Sequence, residues 1–154
     1  MEETKGITYK WLALLTVSIG LFMGALDFSI VNISFPRLTK IFETELSVVL
    51  WVTVVFFLAS TGLMLILGRI GDVFGRKKVY VLGVALFTVG LILCSLSQSI
   101  LQLILSRIFQ GAGTAMIVAL SAAIVTAAFP DKERGRALGI LGAAISAGLL
   151  TGPI

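Results

Sequence analysis

The chain has 154 residues, of which 58% are hydrophobic and 13% charged, and its mean hydropathy is +1.08. Soluble domains contain roughly 45–50% apolar residues, so this composition indicates a membrane protein. The net charge of +4 comes from basic residues in loops beside apolar runs, which argues against a nucleic-acid-binding face. There is no His, and the single Cys94 lies in an apolar run, which excludes a disulfide framework and a Cys/His metal site.

Five apolar runs are long enough to cross a bilayer at about 1.5 Å per residue. Helices are therefore predicted over residues 11–35, 47–67, 79–96, 101–129 and 137–154. The first run carries Asp27, exceeds the length of a secretory signal and lacks a cleavage site, so we predict a retained helix that Pro36 ends. Ser47 is the candidate cap of the second helix, and Pro130 with a charged loop precedes the fifth. The prediction is an all-α membrane protein, with a tail over residues 1–10 and a transmembrane domain over 11–154.

Basic residues predict the orientation of these helices, because bilayer-spanning proteins keep Lys and Arg in short cytoplasmic loops. The basic residues predicted to lie inside are Lys5, Lys10, Arg69, Arg76, Lys77, Lys78, Lys132, Arg134 and Arg136. Only Arg37 and Lys40 are predicted to lie outside. We therefore expect a multi-pass protein of the plasma (inner) membrane with a cytoplasmic amino terminus.

A polar hinge, residues 68–78, separates the second and third predicted helices and carries five charges, which places it in water at a membrane surface. It resembles the G-x-x-x-D-R-x-G-R-K loop between the second and third helices of major facilitator superfamily transporters. The matching residues are Gly68, Asp72, Gly75, Arg76 and Lys77, whereas Val73 stands where the family has a basic residue. The resemblance implies a conformational latch in which Asp72 pairs with Arg76 or faces the other half. A solvated loop that only sets orientation is the alternative.

Asp27 and Arg107 are the only ionisable residues within the predicted spans. Each would cost roughly 2.5–3.5 kcal/mol at the centre of a membrane helix, so each needs a partner or water. Asp27 lies nine residues before Pro36, and Arg107 lies seven residues after Ile100. At about 1.5 Å per residue these positions are roughly 13 and 10 Å below the outer surface. Opposite charges at similar depth are predicted to pair or to face one cavity.

The fourth predicted helix carries a polar stripe, which should face water or protein. Its members are Arg107, Gln110, Thr114 and Ser121. Two alternatives remain open: Arg107 extends outward to the membrane surface, or Asp27 only hydrogen-bonds a neighbouring helix.

Two further segments resemble proton-coupled members of the same family. Residues 26–36 are similar to the first-helix pattern L-D-x-T-I-V-N-V-A-L-P of the fourteen-helix drug:proton antiporters, and residues 107–113 are similar to the fourth-helix pattern R-x-x-Q-G-x-G. Helices one and four line the central cavity in that group. The resemblance therefore implies proton-coupling or cavity roles for Asp27, Asn32, Arg107, Gln110 and Thr114.

The fifth predicted helix ends in residues 148–153, which resemble the start of the antiporter pattern G-x-x-x-G-P-x-x-G-G. Ala144, Gly148 and Gly152, at four-residue spacing, predict a smooth ridge for close helix packing, and Pro153 permits a bend. Ordinary packing of small residues explains the ridge equally well without a role in gating. Because the chain stops within an apolar run, we expect the first part of a longer transporter, unable to transport without its C-terminal half.

The resemblances together imply a proton-coupled multidrug efflux antiporter of the major facilitator superfamily. Its expected partners are the bilayer, protons and apolar or cationic drug-like molecules, with no cofactor, metal or nucleic acid. Protonation of Asp27 is predicted to alternate with drug binding. Transport of a sugar, metabolite or siderophore is one alternative, and a small non-transporting membrane protein is another. An enzyme is disfavoured because nothing resembles a nucleophile with its base or a phosphate-binding loop.

Overall fold

The computed structural model describes residues 2–152, with side chains from residue 9 onward, and these residues form helices without strands. The helices are α1 (Glu2–Ile33), α2 (Phe35–Ile41), α3 (Leu46–Phe74), α4 (Arg76–Ser95), α5 (Ile100–Ala128) and α6 (Asp131–Thr151). Within this part of the chain four helices, α1 from Tyr9 onward, α3, α4 and α5, are long and apolar enough to cross a membrane. The α6 helix, which covers the fifth predicted span up to Thr151, opens with five charged residues in its first six. The predicted all-α membrane fold is confirmed.

The hinge is helical, which corrects the prediction of a polar loop over residues 68–78. The α3 helix continues to Phe74, α4 begins at Arg76, and Gly75 alone separates them. Gly75 makes the turn because its φ of +103° is a conformation that side-chain-bearing residues rarely adopt. Its N–H donates to Gly71 O at 3.0 Å, so the last turn of α3 stays hydrogen-bonded up to the break.

Three other predicted boundaries are wrong. Pro36 does not end the first helix; α1 ends at Ile33, and Pro36 stands in the first turn of α2, where a missing N–H breaks no helical bond. The cap of α3 is Glu45 rather than Ser47, whose hydroxyl donates to the Glu45 carboxylate at 3.1 Å. The predicted loop 131–136 is the start of α6, where Asp131 and Glu133 favourably face the positive end of the helix dipole.

The α5 helix is central, because it packs against α4 and α3 along much of its length and also against α1. Glycines allow its close approach to α4. A Cβ atom on Gly90 would lie 2.8 Å from Gln110 Cα, and one on Gly113 would lie 2.9 Å from Phe87 Cα. Backbones at this separation gain dispersion contacts. Such contacts drive helix association in a membrane, because lipid tails are as apolar as the side chains and the hydrophobic effect does not bring the helices together.

The α6 ridge packs against α1. A Cβ atom on Gly148 would lie 2.6 Å from Phe22 O, and Gly152 is similarly close to Ser29. Ser29 Oγ also donates to Leu149 O at 3.0 Å, which adds an interhelical hydrogen bond. Pro153, the predicted bend, lies outside the described residues.

The α4–α5 approach generates the first testable prediction. Gly90→Ala should lower the free energy of unfolding by about 1–3 kcal/mol, because the added methyl meets backbone that cannot move aside. Gly62→Ala is the matched control: nothing lies within 4 Å of its Cβ position, so it should be neutral or slightly stabilising. Thermal unfolding of the purified protein in detergent measures both, and equal effects of the two variants would contradict the packing.

Candidate functional site: a buried ion pair between α1 and α5

Asp27 of α1 and Arg107 of α5 form an ion pair inside the bundle. Arg107 Nη1 donates to Asp27 Oδ2 at 2.7 Å, and the two side chains are only 4% and 10% exposed, Arg107 being the less exposed. The outward extension of Arg107, one of the alternatives, is therefore wrong. Removing one partner of a buried ion pair typically destabilises the fold by about 3–5 kcal/mol, because the other charge is left buried without a partner.

Gln110 extends the ion pair into a polar cluster. Its Oε1 atom accepts from Arg107 Nη1 at 2.5 Å, and the Cys94 thiol lies 3.7 Å from the same oxygen. Gln110 is fully buried because Gly90 on α4 lets the two backbones approach each other here. Two buried donors of the cluster, Arg107 Nε and Gln110 Nε2, have no hydrogen-bond partner among the described residues.

Phe56 of α3 completes the surroundings of the guanidinium. The ring centroid lies 5.2 Å from Arg107 Cζ, a distance at which the negative face of an aromatic ring attracts a cation. Phe57 continues the aromatic contacts, since its ring meets Phe28 of α1 edge to face with centroids 5.2 Å apart. Four helices thus contribute to one site: α1, α3, α4 and α5.

Two cavities adjoin the ion pair and differ in chemistry. One, of about 360 Å³, is lined by both Asp27 and Arg107. The other, of about 270 Å³, is almost wholly apolar, and its walls include Phe28, Phe56 and Thr114. The ion pair therefore lines a cavity of mixed polar and aliphatic character, and Phe56 beside it lines an aromatic one.

The remaining members of the predicted cavity set lie apart from the ion pair. The Asn32 amide donates to Phe28 O at 2.7 Å, within its own helix. Thr114 donates to Gln110 O at 3.1 Å and lines the apolar cavity. Ser121 is buried and donates to Ile117 O. The polar stripe of α5 therefore faces protein, but its hydroxyl groups donate hydrogen bonds to carbonyls of their own helix.

The hinge residues form a second cluster at the other end of α3. Arg76 Nε donates to Asp72 Oδ1 at 2.8 Å, and Arg76 Nη1 donates to Ala123 O of α5 at 3.2 Å. A Cβ atom on Gly68 would lie 3.6 Å from Ala119 Cβ of α5, an ordinary contact distance, whereas Lys77 is exposed. The α3–α4 turn is thus tied to α5 by one arginine.

Sequence reasoning missed two contributors to the ion-pair site and one separate contact between α1 and α6. Phe56 and Cys94 reach the ion pair only because of how α3 and α4 are rotated, which no local pattern indicates. Lys10 pairs with Glu133 at 2.5 Å and lies 5.4 Å from the Phe129 ring centroid, so it joins α1 to the start of α6. No group of three metal-ligating side chains occurs among the residues that the structure describes.

A double-mutant cycle tests the ion pair. The double variant Asp27→Ala/Arg107→Ala should lose about 1–3 kcal/mol less free energy of unfolding than the sum of the two single variants. The reason is that each single variant leaves a buried charge unpaired. The same cycle on the exposed Asp72–Arg76 pair should show at most about 0.5 kcal/mol. Additive effects at Asp27 and Arg107 would show that the pair does not form.

Comparison with known proteins identifies the family. The sequence profile described as Major Facilitator Superfamily matches residues 17–154. "Riboflavin transporter RibZ" of Clostridioides difficile is 41% identical over 145 residues, which are 94% of this chain and 32% of that protein. "Multidrug resistance protein Stp" of Mycobacterium tuberculosis is 39% identical over 143 residues, 92% of this chain and 27% of that protein.

A third relative, "Probable actinorhodin transporter" of Streptomyces coelicolor, is 34% identical over 145 residues, 94% of this chain and 25% of that protein. The chain therefore spans about a third or less of the length of these curated relatives. Its apolar helices and the matched profile make it a multi-pass membrane protein. The predicted family is confirmed, and the chain belongs to the major facilitator superfamily.

Proposed function

We propose that the protein containing this chain is a proton-coupled transporter that exports drug-like molecules, and that Asp27 is its proton-binding group. The observation that carries the proposal is the buried Asp27–Arg107 ion pair. Ionisable residues inside membrane proteins are expensive to maintain, and they commonly mark ion and proton pathways. A relative named as a multidrug resistance protein supports export as the direction.

Protonation of Asp27 would change the balance of forces between α1 and α5. A carboxylate attracts the guanidinium, whereas the neutral acid retains only a weaker hydrogen bond. Arg107 then keeps Gln110 and the ring of Phe56 as partners. In transporters built from inverted three-helix repeats, the first and fourth spans begin successive repeats. A pair that joins α1 to α5 would thus link proton binding to the relative position of the two repeats.

The apolar cavity supports a drug-like substrate. Its walls include Phe28, Phe56, Phe57 and Phe87, with Thr114 as the only hydroxyl side chain among the residues that line it. Aromatic rings bind apolar molecules because they bury a large apolar surface, and they bind cations because the face of the ring is negative. Such a wall lacks the hydrogen-bonding groups that hold a sugar. We propose that the missing C-terminal half completes this cavity and that the amino terminus is cytoplasmic.

The cluster at the hinge is the proposed latch. Asp72 holds Arg76, and Arg76 reaches the Ala123 carbonyl of α5, so the α3–α4 turn can move only if one of these bonds breaks. Gly75 supplies the backbone turn that places Arg76 there. We propose that opening of the inner side breaks this contact and that Gly68 and Lys77 face the other half.

Transport of a planar metabolite is a second candidate, favoured by the relative named as a riboflavin transporter. Flavin rings would fit an aromatic wall as well as a drug would. Cells that express the complete protein discriminate the two candidates when flux of riboflavin and of a cationic dye is compared. Dye efflux that depends on the proton gradient supports the proposal, and flavin movement alone supports the second candidate.

Asp27→Asn tests proton coupling. The variant should insert into the membrane yet lose efflux driven by a pH gradient, because the amide cannot take up a proton. Asp131→Asn is the matched control, since Asp131 is 85% exposed at its side chain and pairs only with Arg134 in the structure. Efflux measured in vesicles with an imposed pH gradient checks both variants, and unchanged transport by Asp27→Asn would refute the role.

Asp72→Asn tests the latch. The turnover rate should change by up to about twofold, because an exposed ion pair at this spacing contributes at most about 0.5 kcal/mol to one conformation. Substrate affinity should stay the same, since Asp72 lies far along α3 from the aromatic cavity. Efflux kinetics and equilibrium binding separate these effects, with Asp131→Asn again as the control. A change in affinity without a change in turnover would contradict the latch.

A further inference from the structure

The cavity that Asp27 and Arg107 line extends from Asp27 toward one end of the bundle. Asp27 and Arg107 line one part of it. Ser34 and Leu38, at the junction of α1 and α2, line another, together with Cys94 and Ser95 at the end of α4. The α1–α2 junction and the end of α4 belong to the side that the charge distribution predicts to be external.

The cavity follows one face of α1. Asp27, Val31 and Ser34 recur at intervals of four and three residues, so their side chains lie on one face of the helix. Seven residues at about 1.5 Å each carry this face over roughly 10 Å, from the buried carboxylate to the end of α1. Leu38 continues the line on α2.

The chemistry of the cavity suits water. Its lining combines two charged groups, two hydroxyls and a thiol with five aliphatic side chains, whereas the neighbouring cavity has Thr114 as its one hydroxyl among phenylalanine, glycine, alanine and other aliphatic side chains. Ordered water in a protein needs about two to four polar partners, and the Asp27 carboxylate, the Arg107 guanidinium and the two hydroxyls supply that number along this cavity.

We propose that this cavity is a water-filled route by which protons pass between the outer solution and the Asp27 carboxylate without entering the aromatic cavity. The inference rests on the proposed proton-binding role of Asp27. A proton delivered through the route forms an O–H bond on a carboxylate oxygen and releases Arg107 from the ion pair. Arg107 keeps its charge, so the site gains one positive charge. Substrate and proton would then reach the site from different sides.

Thiol labelling tests the route, because methanethiosulfonates react with thiolates, which form in water and not in lipid. The full-length transporter, with its other cysteines replaced, is treated in intact cells with a charged, membrane-impermeant reagent. Cys94 should react at least about tenfold faster than a cysteine placed by Ile92→Cys in a Cys94→Ser background. Ile92 is the matched control, since it lies two residues away on the opposite, exposed face of α4.

A second probe covers the case in which Cys94 reacts only because it lies near the end of α4. Val31 is half-buried and lines the same cavity from α1, one turn from Asp27, so Val31→Cys in the Cys94→Ser background should also react faster than Ile92→Cys. Equal rates for Val31→Cys and Ile92→Cys, or reaction only from the cytoplasmic side, would overturn the route.

Transport by the labelled protein distinguishes this inference from the proposed function. A bulky adduct on Cys94 should slow efflux driven by a pH gradient, while the same treatment of the Ile92→Cys protein should not. Full efflux after complete labelling of Cys94 would show that protons take another path, even though Asp27 couples them. The proton-binding role of Asp27 is tested separately, by the loss of proton-driven efflux in Asp27→Asn. The labelling result therefore tests the route alone.

Discussion

The bundle depends on one constraint: a buried acid and a buried base must meet inside an apolar protein. Neither Asp27 nor Arg107 can face lipid without a large penalty, so α1 and α5 must be rotated until the two side chains touch at 2.7 Å. Once the pair is placed, the polar stripe of α5 faces inward, and its opposite face is left to leucine and isoleucine. The rotation of two helices therefore follows from a single interaction.

Glycine packing makes that interaction possible. Gly90 and Gly113 bring α4 and α5 so close that Gln110 is sealed between them, and Gln110 in turn holds the Arg107 guanidinium. On the other side of α1, Gly148 brings α6 into contact with the Phe22 carbonyl. Close backbone approach encloses the ion pair in protein, where its charges attract each other more strongly than in water.

The sequence predicts the ion pair better than it predicts the helix ends. Asp27 and Arg107 could be matched because their depth follows from counting residues along two helices. At the Gly75 break the sequence predicts an eleven-residue loop, because charged and glycine residues are common in loops, although charged residues also occur where a helix extends into water. Phe56 and Cys94 could not be found, since their contacts depend on how separate helices are rotated. Asn32 fitted a family pattern, yet its amide bonds its own helix.

The central claim is that Asp27 exchanges a proton as its ion pair with Arg107 opens. Infrared difference spectroscopy of the full-length protein, with and without substrate, reports the carboxyl stretch of a protonated aspartate. The account predicts a band that changes when substrate binds and that is missing in Asp27→Asn. A spectrum without a carboxyl band, or a band that persists unchanged in Asp27→Asn, would contradict the claim.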